Sequence, residues 1–358
     1  MNFDLTEEQE LLQETVRQFA SNVCTSTRRR AIFDDKDGHD TELWRGLLEL
    51  GLGAIAVPDE FGGAGLELLD LALAAEVLGA EAVPGPFLGH SLAGLAILHA
   101  GSDAQKKTWL PKLASGERLG TIAFAEGDGR WQPEDWTLAG GATLEGVKAH
   151  VPFGAQADLF VVGTRGGRLA LCERSASGLV VEPLPGIDRT RRIAELSLAN
   201  TPCELMPGGP ESVMRVRDAA LVLLAADAFG GASKLVDLSV DYAKARQQFG
   251  VTIGSFQGLK HQLAAMAVEV EPARGLYWYA AYAFDHVPAE AERSAALAKS
   301  HLTQVYMQIA RDAVEAHGGI GFTWECDVQI YFKRAMFDRA FLGTPGAHRE
   351  RAAALAGW

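Results

Sequence analysis

The sequence predicts an α+β chain of three domains, helical at both ends with an antiparallel β domain between them. Three observations carry the prediction. Residues 1–118 repeat apolar side chains at helical spacing, residues 119–210 change to short β-rich runs, and residues 211–358 return to the helical period. The 358 residues suffice for two or three domains of about 150 residues each. With 48% hydrophobic and 22% charged residues, the chain lies outside the disordered class and can bury a core without a disulfide or metal.

The first domain opens at Thr6-Glu7-Glu8-Gln9, a capping box, after which Leu12, Val16, Phe19 and Val23 form one helical stripe. Further helices are expected at 41–51, 67–79, 91–100 and 103–114, punctuated by Pro58, Gly62-Gly63, Gly65 and Pro84-Gly85-Pro86. Strand character follows at 121–124, 159–164, 169–172, 179–182 and 193–198. Gly, Pro, Asp or Asn bounds each run and no crossover-length helix intervenes, so antiparallel pairing is expected. Beyond Pro210 the helical period returns. Leu259, Leu263, Met266 and Val270 share one face, and the Ala- and Leu-rich stretches 217–242 and 290–315 should be buried on several sides. Pro272 should kink or break its helix.

Charge and motif content narrow the function. Lys and Arg number 33 against 46 Asp and Glu, a net charge of −13, and no basic run exceeds Arg28-Arg29-Arg30. Nucleic acid is therefore not expected as a partner. Cys24, Cys172, Cys203 and Cys326 are far apart with no C-x-x-C, which fits four buried free thiols in a reducing cytoplasm. Neither a basic-then-apolar leader nor an apolar run near ~18 residues is evident, so a cytoplasmic protein without a membrane span is expected. The chain has no P-loop, H-E-x-x-H or G-x-G-x-x-G after a strand, and its His residues lack metal-ligand spacing. Gly89-His90-Ser91-Leu92-Ala93 approaches the nucleophile elbow of serine hydrolases. Ala93 replaces the second glycine, however, and the flanks are a Pro-Gly-Pro turn and a helix.

Two C-terminal constellations are more informative. Arg246-Gln247-Gln248-Phe249-Gly250, followed by Ile253, Phe256 and Gln257, sets a cation, an aromatic ring and an amide where one long helix ends and another begins. Such a corner can grip a diphosphate and a flat ring. In Glu315-Ala316-His317-Gly318-Gly319-Ile320-Gly321-Phe322-Thr323-Trp324-Glu325, closely spaced glycines permit backbone approach to a ligand.

With Phe3-Asp4-Leu5-Thr6-Glu7-Glu8-Gln9, Pro58-Asp59-Glu60-Phe61-Gly62-Gly63, Gln105-Lys106-Lys107 leading to Leu110-Pro111-Lys112-Leu113, and Gly116-Glu117, these constellations closely resemble the acyl-CoA dehydrogenase family over nearly the whole chain. The resemblance implies an N-terminal helical domain, a central β domain and a C-terminal four-helix bundle. It further implies FAD, tetramers built from dimers, and electron transfer to an electron-transferring flavoprotein. The implied reaction removes the α-proton of an acyl-CoA and passes the β-hydrogen to the flavin, giving a trans-2-enoyl-CoA.

That chemistry needs a carboxylate beside the α-carbon. Most members carry a Glu in a Tyr-Glu-Gly-Thr turn, which here resembles Phe341-Leu342-Gly343-Thr344, so Leu342 stands at the base position. Members with the alternative base carry it before an Arg at the start of the helix leading to the R-x-x-F-G corner, where this chain has Ala220-Leu221. Asp227, roughly 10 Å further along that helix, is the candidate for a displaced base. The family's flavin-side segments resemble Ala125-Glu126-Gly127-Asp128-Gly129-Arg130 loosely, and His150 and Pro152 stand where Trp and Thr normally face the flavin. In the family one subunit's C-terminal corner reaches a flavin whose ring sits in its neighbour. The matching cofactor positions here are Arg246, Phe249, Gln257, Gly318, Gly319 and Thr344.

The resemblance therefore implies a subunit of a heteromeric, α2β2 dehydrogenase. A related partner would supply the base, the FAD would be shared, and the substrate would be a bulky acyl-CoA such as a steroid side-chain thioester. The alternatives are a self-sufficient homotetramer using a displaced base, and a non-catalytic scaffold on the same fold.

Overall fold

The computed structural model describes residues 4–358, apart from the side chain of Asp128. Phe3, which opens the N-terminal motif, lies outside the described residues. Six helices come first: α1 (Glu7–Val23), α2 (Ser26–Asp34), α3 (Thr41–Glu49), α4 (Leu68–Ala80), α5 (Phe87–Ala100) and α6 (Asp103–Ala114). The capping box forms as the sequence predicts: the Thr6 hydroxyl accepts from Gln9 N at 3.3 Å and Gln9 Oε1 accepts from Thr6 N at 3.1 Å. Helix α2 was not expected, because Arg28-Arg29-Arg30 interrupts its apolar pattern; Thr25 caps it and Arg29, Ile32 and Phe33 are its buried face. Helix α5 starts at Phe87 rather than at 91, directly after Pro86.

The central region holds β1 (Gly120–Ala123), β2 (Thr143–Pro152), β3 (Leu159–Thr164), β4 (Arg168–Glu173), β5 (Leu179–Leu184), β6 (Ile193–Pro202) and β7 (Glu204–Leu205). They form two facing sheets, ordered β1-β3-β4-β7 and β2-β6-β5, around a small core containing Leu144, Phe160, Val162, Cys172, Leu196 and Leu198. The antiparallel expectation needs one correction: β1 runs parallel to β3, Gly120 opposite Leu159. The long connection between them, with β2 inside it, supplies the crossover that parallel pairing needs. Strand β2 was missed because one inward position is Lys148, which is fully buried and paired with Glu126 at 2.8 Å.

The C-terminal region begins with α7 (Pro210–Ala245) and a small hairpin, β8 (Gln247–Gln248) with β9 (Val251–Thr252). Then follow α8 (Gln257–Val270), α9 (Arg274–His286), α10 (Pro288–His317), α11 (Val328–Ala340) and α12 (Pro345–Leu355). Pro272 separates α8 from α9 with a single 3-10 turn, Glu271–Ala273, as the sequence predicts. Helix α7 packs on α8, α9, α10 and α11 to make the bundle, and on α4 and α5 of the first region. It is long and apolar enough to span a bilayer, contrary to the sequence expectation, but 83% of its most apolar window is buried in the protein. The crossing with α4 is close: a Cβ on Gly230 would meet Glu76 O at 1.9 Å, and one on Gly79 would meet Asp227 O at 2.2 Å. One continuous apolar core consequently joins the two helical regions.

Candidate functional site

The sequence-predicted residues fall at two ends of the bundle. At one end, α7 and α10 both terminate, and Tyr242 of α7 stacks on His317 of α10 with ring centroids 4.4 Å apart. This contact brings the two glycine- and aromatic-bearing constellations together. Arg246 caps α7, and its carbonyl accepts from Ile253 N at 2.8 Å, which folds the β8–β9 hairpin back toward the start of α8 at Gln257. Phe249 is 92% exposed at the hairpin tip, with φ of 53°. Arg246, Gln257, Gly318 and Gly319 are exposed too, and Cβ atoms built on Gly318 or Gly319 would have nothing within 4 Å. Phe322 is 78% exposed beside them. Open glycine backbone, a cation and exposed rings fit the diphosphate and adenine of a dinucleotide.

The other end carries the positions where a base was sought. The Phe341–Thr344 turn follows α11; Leu342 is buried with φ of 60°, and its carbonyl lies 3.0 Å from His348 Nε2. Thr344 caps α12, accepting from Ala347 N at 3.4 Å. Arg351 joins this turn to the starts of α7 and α10: it donates to Gln132 Oε1 at 2.7 Å and to Glu292 Oε1 at 2.9 Å, and Glu292 also accepts from Arg217 at 3.1 Å. Ala220, fully buried, lies three residues beyond Arg217 on the same face of α7. Neither Leu342 nor Ala220 can take a proton.

Between this turn and the β sheets the chain's own rings meet, with Trp131 half-buried and His150 exposed. Trp131 lies 5.5 Å from His150 and 5.2 Å from Phe341, centroid to centroid, and Phe341 stacks on Phe337 at 4.9 Å. Trp131 was missed in the sequence, although a Trp in a Gly- and Asp-rich loop is a signal of aromatic packing. The two ends are separated by about 25 residues of helix along both α7 and α10, roughly 38 Å, which exceeds the reach of one dinucleotide.

Asp227 serves at neither end. Arg334 grips it through two bonds, Nε to Oδ1 at 2.9 Å and Nη2 to Oδ2 at 2.6 Å, and Arg191 also pairs with it. Arg191 continues to Asp338 at 2.8 Å, and Lys299 donates to the Asp338 carbonyl. Burial would raise the Asp227 carboxyl, but the two guanidinium groups outweigh it and hold the group down to about 2. A carboxylate so engaged ties α7 to α11 and is a poor base, against the displaced-base expectation. The hydrolase-like Gly89-His90-Ser91 lies inside α5. There His90 is buried, with Nε2 3.1 Å from Leu113 O and Nδ1 accepting from Gly120 N at 3.3 Å, which is a structural tie between α6 and β1. Among the described residues no cluster of His, Cys, Asp or Glu could hold a metal ion.

Comparison with known proteins agrees with this layout. The family model described as acyl-CoA dehydrogenase, N-terminal domain, matches residues 6–117, and that described as acyl-CoA dehydrogenase, C-terminal domain, matches residues 209–356. The acyl-CoA dehydrogenase IpdE2 of Mycolicibacterium smegmatis is 35% identical over 95% of this chain and 96% of its own. A solved structure of the Tcur3481-Tcur3483 steroid ACAD G363A variant has a TM-score of 0.91 at 30% identity, covering 98% of both chains. The ChsE4-ChsE5 complex from Mycobacterium tuberculosis has a TM-score of 0.90 at 25% identity, covering 100% of this chain and 99% of that one. Relatives of this fold bind FAD, as in a solved structure of PigA with FAD and proline. By sequence over both matched domains and by fold over the whole length, the chain belongs to the acyl-CoA dehydrogenase family.

Proposed function

We propose that this chain is one subunit of a heteromeric, α2β2 acyl-CoA dehydrogenase that forms a trans-2-enoyl-CoA from a bulky acyl-CoA, a steroid side-chain thioester being the favoured class. The observation that carries the reading is the asymmetry between the two ends. The end that would reach a neighbour's cofactor is open and equipped, while the end that would hold this chain's own flavin ring has Trp131 packed against His150 and Phe341 and has Leu342 and Ala220 at both base positions.

In this reading Arg246 pairs with the diphosphate of FAD held mainly by a related partner chain. Phe249 and Gln257 pack beside it, and Gly318 and Gly319 let the backbone approach. The partner supplies the carboxylate that removes the α-proton. Bound FAD would accept the β-hydrogen and hand its electrons to an electron-transferring flavoprotein. Thr344, at the far end, keeps only its capping role here. The substrate class rests on likeness to proteins whose names carry steroid chemistry and to a two-protein complex.

Co-expression with a dehydrogenase chain that retains the glutamate, followed by flavin and protein quantification, tests the proposal. About one FAD per two chains, with acyl-CoA-dependent dye reduction only by the pair, is the expected result. One FAD per chain, or full activity from this chain alone, would overturn it. A complex without flavin would favour a scaffold.

A further inference from the structure

Strand β7 pairs antiparallel with β4, Ala170 opposite Leu205 and Leu171 opposite Glu204. Continued one residue past the end of β7, the same register sets Cys172 opposite Cys203; the Cys203 thiol donates to Gly141 O at 3.2 Å and the Cys172 thiol to Glu173 O at 3.7 Å. Met206 N donates to Leu169 O at 2.9 Å, so that pair is hydrogen-bonded. By the alternation of an antiparallel ladder, Cys172 and Cys203 then occupy a non-hydrogen-bonded site, where Cα atoms lie about 4.5 Å apart. Disulfides span Cα separations of about 4.4–6.8 Å. Cys203 N is turned the other way, donating to Ala142 O at 3.2 Å.

Both thiols also share a face. Along β4, Leu169 and Leu171 enter the helical core while Ala170 and Cys172 enter the core between the sheets, and Cys203 packs on that same inter-sheet core. Cys24 and Cys326 belong to the other core. All four cysteines are free. Against the expectation of four buried thiols, only Cys24 and Cys172 are buried; Cys203, like Cys326, is half-buried, and it opens on a cavity of about 250 Å³ lined also by Trp109, Pro202 and Glu204, which gives an oxidant access.

We infer that Cys172 and Cys203 form a two-thiol modification site that a hydroperoxide closes into an intrachain disulfide. The Cys203 thiolate attacks the outer peroxide oxygen; the O–O bond breaks, an alcohol leaves after taking a proton, and Cys203 becomes a sulfenic acid. The Cys172 sulfur then attacks the Cys203 sulfur. The S–S bond forms, the S–O bond breaks, and the hydroxyl leaves as water with the Cys172 proton. Two thiols lose two electrons, and the peroxide gains them. Burial raises both thiols, Cys172 up to about 12, so thiolate is scarce at neutral pH and closure quickens as pH rises.

The full chain is exposed to cumene hydroperoxide at pH 7 and pH 9, alkylated under denaturing conditions, and mapped by mass spectrometry without reduction. The expected result is loss of two of the four alkylatable thiols and a dithiothreitol-reversible link between the Cys172 and Cys203 peptides, formed faster at pH 9. In Cys203→Ser, Cys172 stays alkylatable. Four surviving thiols, a sulfinic acid on Cys203 beside an untouched Cys172, or linkage through Cys24 or Cys326 would each overturn the assignment. The wild-type map decides the matter even where the variant fails to fold.

Discussion

The Trp131 ring stands edge-on to Phe341, centroids 5.2 Å apart, and lies tilted 5.5 Å from His150. Aromatic pairs in this geometry contribute about 0.5–1.5 kcal/mol beyond their buried area, so the ring is held in place rather than resting there. Restoring the missing carboxylate should therefore be insufficient for activity. Leu342→Glu, purified without a partner, is expected to carry no stoichiometric FAD and to reduce no dye with acyl-CoA. A yellow, active L342E protein would mean that the leucine alone had silenced the site.

At the opposite end the effects should run the other way. Arg246 is exposed and takes no part in the core, so Arg246→Ala should leave the folding of this chain unchanged. In the co-expressed complex it should weaken FAD retention, because a charge-assisted hydrogen bond is worth about 1.5–3 kcal/mol, on the order of tenfold to a hundredfold in affinity. Flavin release on gel filtration or a cofactor titration measures this. Unchanged affinity would remove Arg246 from the cofactor.

Much of the architecture was legible because the helical and strand periods are long and cleanly punctuated, as at Thr6 and Pro272. Strand β2 was hidden by Lys148, a charged residue at an inward position whose partner Glu126 is remote in sequence. The open corner at Arg246 and Phe249 was legible as a local motif. The ring cluster at the other end was not, since Trp131, His150 and Phe341 meet only in three dimensions. Asp227 looked available for the same reason: nothing in the sequence announces that Arg191 and Arg334 converge on it.

The Glu126–Lys148 pair makes a pH prediction. Glu126 accepts from Lys148 at 2.8 Å, Thr137 N at 2.7 Å, Thr137 Oγ1 at 2.6 Å and Leu138 N at 3.0 Å. Burial would raise its carboxyl, but these donors outweigh burial and hold it at about 2, below the ordinary 4.5. A carboxyl depressed in the folded state stabilises fully above its unfolded pKa. That contribution is lost as pH falls from 4.5 toward 2. Glu126→Gln should be less stable near neutrality by about 1–3 kcal/mol and should lose less on acidification through that window. Urea unfolding at stepped pH checks it; parallel wild-type and variant curves would contradict it.

The α4–α7 crossing depends on missing side chains. A Cβ on Gly230 would lie 1.9 Å from Glu76 O, a backbone atom that no side-chain rotation can move. Gly230→Ala should separate the helices and destabilise the fold by about 1–3 kcal/mol or more. The lost stability should appear as a lower urea midpoint with little change in slope. A variant as stable as wild type would show that the crossing relaxes freely.

Asp227 separates a structural role from a catalytic one. Removing one member of a buried, hydrogen-bonded ion cluster leaves uncompensated charge, which costs about 3–5 kcal/mol. Asp227→Ala removes the ion-pair partner of Arg334 and leaves Arg191 with Asp338 alone, and should lower the unfolding midpoint by that order. Arg334 also donates to Val83 O at 3.1 Å and Thr190 Oγ1 at 3.0 Å, so the damage should extend into the α4–α5 and β5–β6 loops. The fraction of the complex that remains folded should keep its turnover per bound flavin. If Asp227 were instead the proton acceptor, turnover per flavin would fall by about 10²–10⁴ while stability changed little, and the two measurements together leave no overlap between the roles.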